Sequence, residues 1–110
     1  MRESTMAREC PDPVDPVRSG GVRYEAVQWG KARGLDQNGG YVAAIDEKTG
    51  EELWLLKVYA VRYDGEMEGD KQDVFITSLE IDHAGRRLTV ENEAGDRFAV
   101  DLPSRKVFPA

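Results

Sequence analysis

The run YVAAIDEKTGEELWLLKVYAVRY, Tyr41 to Tyr63, holds the densest apolar content of the chain and decides its fold. Its first half ends at Asp46-Glu47-Lys48-Thr49-Gly50, where Asp and Thr supply acceptors for turn amides and Gly supplies positive φ. Two strands therefore meet as a hairpin. Over Leu53 to Tyr63 both parities are apolar, with Trp54, Leu56, Val58 and Ala60 on one face and Leu53, Leu55, Tyr59 and Val61 on the other. A strand hydrophobic on both faces is covered on both, which predicts a place in the middle of a sandwich or barrel, or in a subunit interface. Val58, Val61 and the aromatic content favour strand over helix, and a strand of this length has room for a bulge.

Working outward toward the C-terminus, Val74 to Asp82 alternates. Phe75, Thr77, Leu79 and Ile81 point inward and Ser78, Glu80 and Asp82 point to water. Turns at His83-Ala84-Gly85-Arg86 and Glu93-Ala94-Gly95-Asp96 separate strands whose inward residues are Leu88 and Val90, then Phe98, Val100 and Leu102. Pro103-Ser104 ends the last of these, and Lys106-Val107-Phe108 adds a short edge. Toward the N-terminus, Val22 to Trp29 alternates as a first strand after Gly20-Gly21, and the glycine-rich Gly30 to Gly40 reads as a mobile loop. Residues 1–20, with Pro11, Pro13 and Pro16 among charged residues, bury too little to fold alone and read as a disordered tail. The fold predicted is all-β: an antiparallel sandwich or small open barrel of six to eight strands over residues 21–110, one domain. Turns recur roughly every ten residues, the rhythm of a meander. A single short helix before residue 35 is compatible with it.

Composition bounds the function. The chain has 110 residues and a formal net charge of −6, and no basic run offsets that field, which argues against nucleic acid. The single cysteine, Cys10, rules out an intramolecular disulfide and stands in no Cys/His cluster for zinc. No apolar run approaches the roughly 20 residues that span a bilayer, and the first residues lack a signal-peptide core, so no membrane association and a cytoplasmic location are expected.

The acidic segment Asp64 to Asp73 invites comparison with calcium loops. Asp64, Glu66 and Glu68 alternate ahead of Gly69, and Asp70 and Asp73 add oxygens. Phe75 stands where a calcium loop has its bidentate Glu, so this is no EF-hand; an acidic surface loop is the commoner meaning.

The run Val42-Ala43-Ala44-Ile45-Asp46-Glu47-Lys48-Thr49-Gly50-Glu51-Glu52-Leu53-Trp54 resembles the repeat of pyrroloquinoline-quinone-type β-propellers. There an alanine-containing strand runs into Asp, a Thr-Gly turn and a Leu-Trp strand. Phe98 to Val107 echoes it without the Thr-Gly and the Trp. A propeller needs roughly four or more blades of four strands, and this chain has strands for two at most. The resemblance thus implies a hairpin, and it carries over no quinone-binding residue and no cofactor.

Catalysis has little to stand on. His83, the only histidine, sits in a turn beside Asp82, and sequence neighbours on a strand point to opposite sides. Ser78 and Ser104 lack a nucleophile-elbow context. What is in surplus is aromatic and apolar surface. The expectation is a non-enzymatic interaction or binding module, in its simplest form a homodimer, using Trp29, Tyr41, Tyr59 and Tyr63 with Lys31 and Arg33 of the 30–40 loop. The partner is a protein or a second copy of the chain. The alternative is a calcium- or ligand-binding protein acting through residues 64–73.

Overall fold

The computed structural model describes residues 11–62 and 73–110. Eight strands run in chain order: β1 (Val17–Ser19), β2 (Val22–Val27), β3 (Tyr41–Asp46), β4 (Glu52–Lys57), β5 (Ile76–Ile81), β6 (Arg87–Asn92), β7 (Arg97–Asp101) and β8 (Lys106–Pro109), with one 3-10 turn at Gly30–Arg33. They form two four-stranded antiparallel meanders, β1-β2-β3-β4 and β5-β6-β7-β8. This is the all-β architecture that the turn rhythm predicts, an open pair of sheets without barrel closure. No helix among the described residues is long and apolar enough to cross a membrane.

One core joins the sheets. Tyr24, Val42 and Ala44 of the first meander meet Ile76, Leu79, Leu88, Val90 and Val100 of the second, with Val58, Tyr59 and Leu102 between them. The Tyr59 ring stacks on Phe98 at 5.3 Å across this core. β1 and β2 lie against β5 where the sheets approach. Burying Leu88 or Val90 completely removes apolar area from water at about 25 cal/mol per Å², the main term holding the sheets together.

Short polar devices close the hairpins. Asp46 Oδ1 accepts from the amides of Lys48 and Thr49, Asp82 Oδ1 from Arg86 and Arg87, Asn92 Oδ1 from Ala94 and Asp96, and Asp101 Oδ2 from Ser104. Each replaces the water that a turn amide would otherwise need.

Four expectations change. Val17–Ser19, assigned to the tail, pair with β2 in the register Val17↔Tyr24 and Ser19↔Val22. The two-residue loop between them is Gly20-Gly21 with φ of 58° and 80°, the double positive φ that matches hairpin twist and that glycine adopts freely. Val14 also packs against the core. Next, the strand after the Asp46–Gly50 turn ends at Lys57 and lies at the outside of its sheet, not in the middle. The strand covered on both faces is β3, where Val42, Ala43 and Ala44 are buried. In β5 a bulge shifts the pairing from Ile76↔Asn92 to Ser78↔Glu91, so Ile76 turns inward and Thr77 outward, the reverse of simple alternation. Finally, Gln37 to Gly40 is buried, so the second half of the 30–40 segment is interior structure. Gln37 Nε2 donates to the carbonyls of Gly39 and Tyr59, its Oε1 accepts from Val61, and Asn38 Nδ2 donates to Asp73 at 2.9 Å. These bonds tie the start of β3 to the chain after β4 and to the approach to β5.

Candidate functional site

Open sheets leave backbone groups unpaired at their outer strands, so the four outer strands are where this fold can accept another chain. Three are blunted. β1 is three residues long, follows Pro16 and lies against β5. β5 is bulged, and the Gln28 amide brackets Ile76 as a neighbouring strand would, donating to its carbonyl at 2.8 Å and accepting from its N–H at 3.2 Å. In β8 the Ala110 amide donates to Arg97, which turns Val107 and Pro109 outward; Pro109 has no N–H, leaving one outward donor.

β4 is different. Val58 N–H donates to Gly40 O at 2.7 Å, so in the register Val42↔Leu56 and Ala44↔Trp54 the residues Leu56 and Trp54 bond to β3. Leu55 and Lys57 then point their N–H and C=O groups outward, and no described strand meets them. Pairing of Ile45 with Glu52 leaves Leu53 as the extra residue of a bulge, 47% exposed. Trp54, Leu55 and Leu56 are each half-buried. The sheet's outward face beside this edge is strapped by the 3-10 turn and the segment after it. Arg33 pairs with Glu52 at 2.8 Å, and Lys57 Nζ donates to Asp36 at 2.6 Å. Asp36 also accepts the Tyr41 hydroxyl proton. These two donors hold the Asp36 carboxyl below its usual range, Lys57 most. Tyr41 is pushed up to about 12, first by desolvation and then by its bond to Asp36. A phenol shifted upward is a weaker acid and keeps its proton at neutral pH, so Tyr41 stays a hydrogen-bond donor to Asp36 and braces the sheet.

On the inward face, the β7–β8 turn reaches β4. Arg105 Cζ lies 5.7 Å from the centre of the Trp54 ring, over which the cation is attracted by the ring's negative face. Trp54 in turn leans on Tyr24 at 5.9 Å. The edge is thus an apolar strip with a guanidinium at its shoulder.

The residues singled out in the sequence are dispersed rather than gathered. Arg33 and Tyr41 serve the strap. Tyr59 is inside the core, its hydroxyl donating to Val74 O at 2.6 Å and its pKa raised by burial. Trp29 is 43% exposed and packs edge-on against Phe75. Lys31 follows Trp29 on the 3-10 turn, exposed. Tyr63, Asp64, Glu66, Glu68 and Asp70 lie outside the described residues. Asp73 is 3% exposed and accepts from Asn38. No group of three or more His, Cys, Asp or Glu is placed to hold a metal among the described residues.

Beside Trp29, a cleft of ≈ 130 Å³ is lined by Pro11, Asp12, Phe75, Ile76, Thr77 and Glu93. Small-molecule pockets run to about 300–1,000 Å³, so this one suits a single side chain. The sequence reading missed Arg105 and the openness of β4. The first left a trace: Asp46, Asp82 and Asn92 are each followed at the turn's end by glycine, and Asp101 is followed by Arg105 instead. Comparison of the chain with protein-family models, with curated proteins and with solved structures returns no match.

Proposed function

We propose that this protein is a non-enzymatic interaction module that docks a protein strand, from another chain or a second copy of itself, along the outer edge of β4. The observation that carries the reading is the contrast among outer strands: β4 has two outward N–H groups, at Leu55 and Lys57, beside Leu53 at 47% exposure, whereas β8, with Phe108 at 43%, has one, at Val107, because Pro109 has none. Strand addition obtains its affinity from main-chain hydrogen bonds and its specificity from alternate side chains, and it needs such an edge.

Amide hydrogen exchange across a concentration series, with and without cell extract fractionated by size, tests the proposal. The Leu55 and Lys57 amides exchange fast in the dilute chain and slow on complex formation. Leu53→Lys, which puts a charge at the exposed bulge, weakens the complex without unfolding the chain. Slow exchange of both amides in a dilute monomer would remove the open edge and the proposal with it.

A further inference from the structure

Arg105 is the only described residue other than glycine with positive φ, at 62°. The equivalent turn-end positions after Asp46, Asp82 and Asn92 are Gly50, Gly85 and Gly95, at φ of 76°, 70° and 86°. Glycine is the residue for which that conformation is cheap, and a side chain there is strained. The chain thus accepts backbone strain at one turn in four and gains a guanidinium over Trp54, at the shoulder of the open edge. Strain held in place at a defined residue points to a use for its side chain.

The surroundings fit an anion. The amide of Leu102 donates to Arg86 O, joining the β5–β6 and β7–β8 turns, and the register Arg87↔Asp101↔Lys106 gathers cations at this end of the second sheet. Arg105 and Lys106 enter no ion pair among the described residues, whereas Asp101, besides its turn donors, feels Arg86 and Arg87, and Asp82 feels Arg87. In a chain of net charge −6 this end is locally basic.

Resting on the β4 docking edge, we infer that the occupant is an extended segment of another protein that alternates apolar and acidic residues, and that Arg105 reads its carboxylate. The alternation follows from the pleat: apolar residues of the segment lie beside Leu53 and Leu55, and the opposite parity lies on the side of Trp54 and Arg105. A second copy fits less well, because its own β4 presents Trp54 and Leu56 on that parity and no carboxylate.

Two labelled octapeptides test this, one alternating valine and glutamate and one alternating valine and glutamine. The glutamate peptide binds at least tenfold tighter at low salt, slows exchange at Leu55 and Lys57, and loses its advantage as salt screens the pairing. Arg105→Gly closes the gap between the peptides while the unfolding temperature stays at or above that of the parent, since glycine suits this φ. Equal affinities with protected amides would overturn the role of Arg105 and leave the docking edge standing. Protection that rises with protein concentration and without peptide would make a second copy the occupant and overturn the inference. Fast exchange at Leu55 and Lys57 under every condition, including fractionated extract, would sink the docking edge itself.

Discussion

β4 and β8 hold the same place in their sheets, each the last strand of a four-stranded meander, yet they end differently. β8 is short, begins with Lys106, and carries Pro109 where an outward amide would stand. β4 is six residues long with Leu-Trp-Leu-Leu at its centre and outward amides at Leu55 and Lys57. The second sheet is finished by its own sequence. The first is finished only on its face, by the Arg33–Glu52 and Asp36–Lys57 pairs, and its edge remains available. Those surface pairs are worth little individually, about 0–1 kcal/mol, so their value is in placing the strap and not in holding the fold.

The comparison breaks most completely if the two sheets are separated. A Cβ on Gly39 would lie 2.4 Å from Val74 O and 3.2 Å from Phe75 Cα, both main-chain atoms that cannot rotate away. Gly39→Ala is expected to cost about 3 kcal/mol, as overpacking does when backbone must shift. Chemical denaturation measures it. A change under half a kcal/mol would mean that the Gln37–Gly40 knot does not join the sheets as described.

Closure of the second sheet depends on its turns, and Asn92 is the buried one. Its side-chain oxygen takes the amides of Ala94 and Asp96, both at 3.0 Å. Asn92→Ala should lower stability by about 1–2 kcal/mol through the unsatisfied amides. The same denaturation curve at an unchanged midpoint would show that water replaces the side chain there.

The edges themselves are exchanged by two mild substitutions. Pro109→Thr gives β8 a second outward N–H, and Leu53→Lys guards β4. Each should alter stability by less than about 0.5 kcal/mol, as surface changes usually do. Sedimentation should show self-association promoted by the first and not by the second. If Pro109→Thr stays monodisperse at high concentration, the proline is not what closes that edge.

The smallest expected effect is on the pH profile. Donors in their own turns hold Asp82 and Asp101 below the ordinary carboxylate range, Arg87 and Arg86 amides for the first and the Ser104 hydroxyl foremost for the second; Asp36 is lowered by Lys57. A lowered carboxylate contributes stability above its unfolded pKa of about 4, and that contribution is lost as pH falls through the folded value. Tyr41 has the opposite sign. Raised to about 12, it contributes fully below the unfolded phenol's value near pH 10 and loses that contribution between there and about 12. Thermal melts should be flat from about pH 5 to 9 and fall at both ends; a midpoint that rises on acidification below pH 4 would contradict the turn geometry.

Much of the fold was legible in the chain because period-two alternation and Asx–glycine turns are local. Leu88, Val90, Phe98 and Val100 point inward as the alternation requires, and the turns after β3, β5 and β6 fall where Asp or Asn meets glycine. Gly20-Gly21 carried a hairpin signal too, although the prolines before it masked the pairing of Val17 with Tyr24. The site was far less legible. Aromatic residues that look like a surplus surface in sequence, Tyr41 and Tyr59, are consumed by Asp36 and by the Phe98 stack.

By itself the sequence determined the class of the fold, the place of its turns and the identity of most core residues, since each depends on neighbours a few residues away. Only the tertiary structure decided which strand lies inside and which at the edge. Apolar content on both parities reads alike for a central strand and for an outer one whose faces are covered from elsewhere. Strand order comes from pairings between distant residues, Gly40 with Val58 and Ala43 with Leu55, and from Gln28 reaching Ile76. The same holds for Arg105. Its strain is local, but the ring beneath it, Trp54, lies in the other sheet, and only the packing of the two sheets brings them together.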